Sequence, residues 1–77
     1  MNQVIIYTQA NCPPCEFAKL YFKNYDIAFE EKNITRDKKA KNEMMVKYDA
    51  FSTPVIVIND QPIIGFDQER IEELLSK

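Results

Sequence analysis

Apolar residues are grouped along this chain in short blocks whose spacing predicts strands and helices in turn. Residues 1 to 8 contain the apolar, β-branched run VIIYT, which is typical of a strand buried on both faces. A second strand is predicted over residues 27 to 34, IAFEEKNI, where charged side chains indicate an exposed face near the edge of a sheet. The runs VIVI and PII, joined by NDQ at residues 59 to 61, predict a tight β-hairpin that ends at Gly65.

The segment after the first strand has the apolar spacing of an amphipathic helix. Its stripe repeats at i, i+3, i+4, i+7, i+8 and i+11 and consists of Pro14, Phe17, Ala18, Tyr21, Phe22 and Tyr25. Proline is tolerated in the first helical turn, where the backbone amides have no partner within the helix. We therefore predict that Cys12 is the N-cap and that Pro13 and Pro14 open this helix.

Two further helices are predicted from a capping residue followed by apolar residues at helical spacing. Thr35 is expected to cap a helix that continues through Tyr48, and Asp67 is expected to cap the last helix. The apolar stripe of the second helix consists of Ala40, Met44, Met45 and Tyr48, and that of the last helix of Ile71, Leu74 and Leu75.

The resulting order is β-α-β, then an α-helix, then a β-hairpin, then a last α-helix. A β-α-β unit brings its two strands parallel through a right-handed crossover. The hairpin must extend the same sheet, and each helix has one apolar stripe with which to cover it. The chain of 77 residues is therefore predicted to form a single α/β domain over residues 1 to 77, with three helices on a mixed four-stranded sheet.

Composition and charge exclude two classes of partner. The formal net charge is −2 and no cluster of lysine and arginine interleaves with aromatic residues, so we expect no nucleic acid ligand. The longest apolar run, residues 55 to 58, is far too short to span a membrane. No secretory signal precedes the first strand, so the cytoplasm is the expected compartment. A monomer is the default expectation.

The only two cysteines stand three residues apart in the sequence CPPC, at the predicted start of the first helix. At that spacing the side chains share one helix face about 5–6 Å apart, and a disulfide needs a Cα separation of roughly 4.4–6.8 Å. A disulfide that closes so short a loop contributes little stability. Where thiols are kept reduced, such a pair is more often catalytic or metal-binding than structural.

The two thiols are expected to have different roles. We assign Cys12 as the nucleophile because it lies at the positive end of the helix dipole and at the solvent edge, and Cys15 as the resolving thiol one turn inside. Pro13 and Pro14 have no N–H to donate to a Cys12 thiolate, and Glu16 adds a negative charge beside it. We therefore predict that the helix start lowers the pKa of Cys12 only moderately.

Two non-catalytic interpretations of the cysteines remain open. They could sense oxidation in a binding module, or two chains could share a metal ion or an iron–sulfur cluster. A tetrahedral zinc site needs four ligands, and this chain has two cysteines and no histidine. Any metal would therefore require a second chain, and no metal site within one chain is predicted.

Three motifs in order, VIIYTQANCPPC, STPVIVIND and IIGFD, resemble a glutaredoxin and also the glutaredoxin-like redoxins that pass electrons to ribonucleotide reductase. The resemblance implies a thioredoxin fold and a dithiol–disulfide oxidoreductase that reduces protein disulfides or glutathione mixed disulfides. It implies a cis bond before Pro54, which faces the cysteines, and a backbone contact between Thr53 and the substrate chain. It implies no bound cofactor, with electrons supplied by glutathione or by thioredoxin reductase, a flavoprotein that uses NADPH.

The resemblance also implies a substrate rim that consists of Tyr7, Gln9, Gly65, Phe66 and Asp67. Glutaredoxins usually carry a lysine where this chain has Gln9, and a second glycine where Ile64 precedes Gly65, so the glutathione site is matched only in part. An exposed phenylalanine in GFD favours the redoxins that are reduced by thioredoxin reductase. Structural interpretations also remain open for three of these residues: Tyr7 as a core residue, Phe66 as a residue that closes the core, and Asp67 as a helix cap.

Overall fold

The computed structural model describes residues 3–76, which form four strands and three helices. The elements in chain order are β1 (Val4–Thr8), α1 (Pro13–Asn24), β2 (Glu30–Asn33), α2 (Lys38–Lys47), β3 (Val55–Ile58), β4 (Gln61–Ile64) and α3 (Gln68–Leu75). This is the predicted order, although Met1 and Asn2 of the first predicted strand lie outside the described residues. No helix in the described part of the chain is long and apolar enough to cross a bilayer.

β1 lies in the interior of the sheet, whose strand order is β2-β1-β3-β4. It pairs parallel with β2 and antiparallel with β3, and β3 pairs antiparallel with β4, so the sheet is mixed as predicted. β2 is at an edge, as its charged residues indicated, but it begins at Glu30 rather than at residue 27. Ile27 instead donates its amide to the carbonyl of Phe22 at 2.9 Å, so the chain is still leaving α1 at that point.

The hairpin between β3 and β4 turns on two residues rather than the predicted three. Asn59 and Asp60 have φ of 51° and 68°, and Gln61 already pairs with Ile58 in the ladder. Positive φ at both central positions is typical of the type I′ turn, whose twist matches that of the flanking strands. Asparagine and aspartate tolerate this conformation, which explains how the turn forms without glycine.

Helices cover both faces of the sheet, as the predicted layered arrangement required. α1 and α3 pack on one face, where the buried cluster consists of Val4, Ile6, Ala18, Phe22, Ile56, Ile58, Ile63, Ile71 and Leu74. α2 packs on the other face, where the buried cluster consists of Tyr7, Ile34, Ala40, Met44, Tyr48, Ala50, Val55 and Val57. The carboxyl end of β1 therefore leads into α1 between two packed layers.

The apolar stripe predicted for α1 is wider than the face that the helix buries. Its buried residues are Cys15, Ala18 and Phe22, a narrow row at i, i+3 and i+7. Phe17 and Tyr25 lie at the flanks of that row and are 58 % and 62 % exposed. The predicted stripe is therefore buried only in part: Ala18 and Phe22 are in the core and Tyr21 packs against it, whereas Phe17 and Tyr25 lie outside this contact.

Helix α2 begins two residues later than predicted. Asp37, not Thr35, is its N-cap and accepts a hydrogen bond from the amide of Ala40 at 3.0 Å. The hydroxyl of Thr35 accepts instead from the amide of Ala10 at 3.0 Å, in the loop that leads to the cysteines. Thr35 therefore does not cap the helix, because its hydroxyl is committed to a tertiary contact.

Candidate active site

The two cysteines lie at the start of α1 and are joined by a disulfide, with their Cα atoms 5.2 Å apart. This separation agrees with the prediction and lies in the middle of the range that a disulfide accepts. Because the helix already holds the two residues at this distance, the pair can close and open with little movement of the main chain.

Cys12 is the more exposed of the two cysteines. Its exposed fraction is 8 %, against 1 % for Cys15. The residues that line an open groove at this point are Asn11, Cys12, Pro13, Glu16, Phe17 and Leu20. Cys12 is more buried than the predicted position at the solvent edge, because these neighbours surround it. Cys12 is nevertheless the more accessible of the two cysteines, as expected.

Cys12 is the N-cap of α1, as predicted. Its φ of −121° and ψ of 92° are extended, and its Sγ accepts a hydrogen bond from the amide of Cys15 at 3.2 Å. Pro13 and Pro14 carry no N–H, and the amide of Glu16 donates to the carbonyl of Cys12 at 3.2 Å. One backbone donor of the first helical turn therefore serves the sulfur.

Lys19, which was not among the predicted site residues, lies beside this helix start. Lys19 Nζ is 3.1 Å from Glu16 Oε1 and 3.1 Å from Glu31 Oε2. The hydroxyl of Thr8 donates to the same Glu31 oxygen at 2.8 Å, and this hydrogen bond together with that of Lys19 lowers the pKa of Glu31. The negative charge of Glu16, which was expected to oppose a Cys12 thiolate, is therefore paired with a cation.

The loop before β3 brings Thr53 and Pro54 to the cysteines. The bond between them is cis, as the resemblance implied, and Pro54 is buried. Thr53 Oγ1 lies 3.6 Å from Cys12 Sγ. The amide of Gly65 donates to the carbonyl of Pro54 at 2.8 Å, which attaches the loop to the end of β4. Thr53 is thus held against the sulfur that the groove exposes.

Gly65, Phe66 and Asp67 follow β4 directly and lead into α3. Gly65 has a φ of 84°, which glycine adopts without strain. Phe66 is half-buried rather than exposed, because its ring packs in T-shaped contacts against Phe17 and Tyr21, with centroids 4.9 Å and 5.2 Å away. Asp67 is the N-cap of α3, as predicted. Packing and capping therefore account for Phe66 and Asp67 without a ligand.

Tyr7 is fully buried on the α2 side of the sheet. Its hydroxyl donates a hydrogen bond to Glu43 of α2, and Lys32 Nζ lies 2.9 Å from the same carboxylate. Burial and the hydrogen bond to Glu43 raise the pKa of Tyr7. The side chain has no surface open to a substrate, so burial favours its structural interpretation over a place in the predicted rim.

Gln9 is exposed and lies at a second groove. The residues that line this groove are Gln9, Ile34, Thr35, Lys38, Lys41, Met44, Met45 and Phe51. Lys38 and Lys41 bring two positive charges to a site where the resemblance alone identified the uncharged Gln9. Both lysines belong to α2, and the packing of α2 against the sheet brings them to this groove. No local sequence pattern therefore indicated that they lie near Gln9.

The described residues 3–76 contain no group of three or more histidine, cysteine, aspartate and glutamate side chains placed to hold a metal ion. A metal held by the two cysteines would therefore need its remaining ligands from another molecule.

Comparison with known proteins gives consistent matches along most of the chain. The glutaredoxin family model matches residues 4–63. A glutaredoxin-like 8.6 kDa protein from the rubredoxin operon of Clostridium pasteurianum is 35 % identical over 72 residues, which cover 94 % of this chain and 96 % of the relative. A crystallised thioredoxin-like protein superposes with a TM-score of 0.89 at 36 % identity, covering 94 % of this chain and 99 % of its own. The NrdH-redoxin of Escherichia coli, described as having a thioredoxin-like activity profile, superposes with a TM-score of 0.79 at 27 % identity, covering 94 % of this chain and 93 % of its own. The fold is therefore the thioredoxin fold.

Proposed function

This chain belongs to the glutaredoxin family, and from that premise we propose that it is a dithiol–disulfide oxidoreductase that reduces protein disulfides through Cys12 and Cys15. The observation that carries the proposal is the arrangement of the pair at the start of α1. The Cα atoms are 5.2 Å apart, and Cys12 alone of the two lines the open groove. A pair held at disulfide separation with one accessible sulfur is what disulfide exchange requires.

The proposed reaction proceeds in two exchanges. The thiolate of Cys12 attacks one sulfur of the substrate disulfide, forms a mixed disulfide and releases the other substrate sulfur as a thiolate. The thiolate of Cys15 then attacks Cys12 Sγ, closes the Cys12–Cys15 disulfide and releases the second substrate thiolate. Two electrons pass from the dithiol to the substrate, and the protons lost by the cysteines are balanced by those that the released thiolates take from solvent.

Thr53 and Pro54 are proposed to guide the substrate chain past Cys12. Thr53 lies 3.6 Å from the reactive sulfur, and its loop is tied to β4 through the Gly65 amide. An extended substrate segment that pairs with the Thr53 backbone would be held by main-chain hydrogen bonds, which do not depend on side-chain identity. Gly65, Phe66 and Asp67 form the adjoining edge of this proposed contact.

We also propose the source of the electrons for this reaction. No bound cofactor is needed, because the oxidised pair can be reduced by thiols from glutathione or from a flavoprotein such as thioredoxin reductase. The NrdH-redoxin of Escherichia coli, with its thioredoxin-like activity profile, favours the flavoprotein. We place the reaction in the cytoplasm, where thiols are kept reduced, and we include ribonucleotide reductase, which the sequence resemblance implied, among the disulfide substrates.

Glutathione mixed disulfides are a second candidate substrate. The observation that favours them is the groove that holds Gln9 together with Lys38 and Lys41. Two cations could pair with the carboxylates of a glutathionyl group, which compensates for the lysine that Gln9 replaces.

Serine variants of the two cysteines test the proposal. The reduced wild-type chain is mixed with insulin, and loss of the insulin disulfides is followed with dithiothreitol as the reductant. Cys12→Ser should lower the rate to that of dithiothreitol alone, because the nucleophile is removed. Cys15→Ser should accumulate a mixed disulfide between Cys12 and insulin. Activity that survives in Cys12→Ser would rule out this mechanism.

Two further readouts separate the alternatives. A coupled NADPH assay, run once with glutathione and glutathione reductase and once with thioredoxin reductase, identifies the electron source. The metal content and absorption spectrum of the purified protein identify a metal or cluster carrier. A colourless, metal-free protein that reduces insulin supports the enzyme, whereas an inactive protein with a bound cluster supports the carrier.

A further inference from the structure

Three exposed apolar side chains lie next to the reactive sulfur. Phe17 and Leu20 are 58 % and 56 % exposed, and Pro13 is also exposed. Together with Asn11, Cys12 and Glu16 they line an open groove of about 780 Å³, which we call the Phe17 groove. Single exposed apolar residues need no explanation, but a contiguous apolar patch beside a reactive group is typical of a binding surface.

The ring of Phe17 is held in place although it is exposed. It packs against Phe66 in a T-shaped contact with a centroid distance of 4.9 Å and an interplanar angle of 89°. Phe66 is in turn packed against Tyr21 at 5.2 Å. An aromatic side chain that is already fixed loses little conformational entropy when a partner covers it, which makes it a good anchor for binding.

We propose that the Phe17 groove binds an apolar side chain two residues from the reactive cysteine of a protein disulfide, and so selects protein substrates with such sequences. This inference rests on the proposed function. A substrate sulfur must come within bonding distance of Cys12, and Cys12 itself lines the groove. In an extended substrate the side chains at i and i+2 point to the same face about 6.6 Å apart, so an apolar side chain two residues from the substrate cysteine can enter the groove while that cysteine faces Cys12.

The shape of the groove fits a short extended segment. Pro13, Phe17 and Leu20 follow one another at i, i+4 and i+7 along α1, so they share one helix face over about 10 Å. That length corresponds to about three residues of extended chain. Thr53 is not among the lining residues, and the groove and the Thr53 contact therefore meet at Cys12 and can hold the same substrate from two sides.

Charge favours an uncharged apolar segment over glutathione in this groove. Among its six described lining residues the one charged side chain is Glu16, whose carboxylate is paired with Lys19 at 3.1 Å. Glutathione carries a net negative charge and finds no cation on these lining residues, whereas Lys38 and Lys41 line the second groove. The two grooves therefore separate apolar protein substrates from glutathione by chemistry.

A pair of matched peptide disulfides tests this inference. One is the symmetric disulfide of the blocked pentapeptide Leu-Ser-Cys-Ser-Leu and the other that of Ser-Ser-Cys-Ser-Ser, with oxidised glutathione as the third substrate. The fully reduced protein is mixed with each disulfide in a single-turnover reaction, and released thiol is quantified by chromatography. Each rate is divided by the rate of dithiothreitol with the same disulfide, which removes differences in intrinsic reactivity.

The wild-type chain should reduce the leucine peptide about tenfold or more faster than the serine peptide, because apolar surface is buried in the groove. Phe17→Ala and Leu20→Ala should each lower this preference to below about threefold. The rate with oxidised glutathione should stay within about twofold in every variant, since glutathione does not use this groove.

Tyr25→Ala is the matched control. Tyr25 is an aromatic residue at the end of the same helix, 62 % exposed and packed on Tyr21 at 4.8 Å, but it does not line the groove. It should leave the leucine preference unchanged. Thermal unfolding of each variant verifies that it is folded. If Phe17→Ala does not fold, Leu20→Ala still tests the groove.

The outcomes distinguish the inference from the proposed function. A wild-type chain that reduces both peptides at equal normalised rates overturns the groove as a selective site and leaves the oxidoreductase intact. Phe17→Ala and Leu20→Ala variants that retain the full preference, or that lose activity equally on all three disulfides, overturn it as well. A wild-type chain that reduces none of the three disulfides contradicts the proposed function itself.

Discussion

Helices α1 and α2 begin with the same backbone geometry but with different atoms at the N-cap. Cys12 has φ of −121° and ψ of 92°, and Asp37 has φ of −120° and ψ of 97°. Each side chain accepts a hydrogen bond from the amide three residues on, at 3.2 Å from Cys15 and at 3.0 Å from Ala40. One acceptor is a sulfur and the other is a carboxylate oxygen.

The difference shows two distinct effects at a helix start: the N-cap side chain stabilises the helix, and the helix dipole stabilises a negative charge on the N-cap side chain. A carboxylate is a strong acceptor, and capping by such a residue typically stabilises a helix by about 1 kcal/mol. A thiol is a weak acceptor, so α1 gains less from Cys12. In return, the positive end of α1 favours the Cys12 thiolate over the thiol. The same position is therefore structural in α2, and in α1 it suits the reactive role proposed for Cys12.

The largest expected effect comes from replacing each of the two N-cap residues by serine, in separate variants. Serine is as good an N-cap as aspartate, so Asp37→Ser should change neither the disulfide-reduction rate by more than about twofold nor the fold. The same replacement of Cys12 should lower the rate to that of the reductant alone while the helix still forms. Insulin reduction and far-ultraviolet circular dichroism measure the two properties. A large loss of rate in Asp37→Ser would contradict the assignment of a structural role to that cap.

Returning a backbone donor to Cys12 should have the next largest effect. An N-cap side chain accepts from the second or third amide of the helix, and Pro14 occupies the second position. Pro14→Ala should therefore lower the pKa of Cys12, because an added hydrogen bond to a charged group contributes about 1.5–3 kcal/mol. The pH midpoint of iodoacetamide alkylation should fall by about one unit or more.

Pro13→Ala is the matched control, because the first helical position does not reach the cap side chain. Its alkylation profile should stay where the wild-type profile lies. Equal shifts in both variants would mean that general loosening of the loop, rather than a specific amide, controls the thiolate.

Alanine at the two caps should have a moderate effect on stability that differs between them. Asp37→Ala should cost about 1 kcal/mol and lower the unfolding temperature by about 4–8 °C, with the activity at 25 °C unchanged. Cys12→Ala, compared with the reduced wild-type chain, should cost less because a weaker acceptor is lost. Thermal unfolding in the presence of a reductant measures both. A larger cost for Cys12→Ala would reverse the comparison.

The smallest expected effect is on acid stability, through the carboxylate that ties each helix to the sheet. Hydrogen bonds from Tyr7 and Lys32 lower the pKa of Glu43 on α2 below its ordinary value near 4.5. A carboxylate whose pKa is lowered by folding contributes stability above its unfolded pKa, and this is lost as the pH falls through the folded value. Solvent screens this partly exposed group, so the contribution is about 0.5 kcal/mol or less.

Urea unfolding between pH 7 and pH 3 measures this effect. The wild-type chain should lose stability between about pH 5 and pH 3 more steeply than Glu43→Gln. Glu31→Gln, which removes the corresponding carboxylate beside α1, should flatten the same range, because hydrogen bonds from Thr8 and Lys19 lower the pKa of Glu31 too. Identical slopes in the three proteins would mean that neither ion-paired carboxylate contributes.

The caps also show which parts of the fold can be predicted from sequence. Cys12 and Asp67 were predicted correctly because each is followed at once by its helical pattern. Thr35 and Asp37 are both good capping residues two positions apart, and local sequence does not rank them. The choice depends on the contact between Thr35 and Ala10, which are 25 residues apart in the chain. The error in α2 therefore has a tertiary cause.

In the candidate site, too, the features that depend on local sequence were predicted and those that depend on tertiary contacts were not. Cys12 and Cys15 were predicted because their chemistry depends on local spacing, and the structure places them as that spacing required. Phe17 was assigned to the buried stripe because periodicity gives the direction of a face and not its width. Lys19 acquires its position through contacts with Glu31 of β2, and no pattern within α1 indicates such a partner. The local geometry of the pair was predictable, and the surface that surrounds it was not.

Selective alkylation of the reduced chain tests the assignment of Cys12 most directly. The reduced protein is treated at pH 7 with less iodoacetamide than there is protein, and the labelled peptide fragments are assigned by mass spectrometry. We predict that at least about nine-tenths of the label is on Cys12, the sulfur at the helix start that lines the groove. Equal labelling of the two residues, or more label on Cys15, would contradict the account.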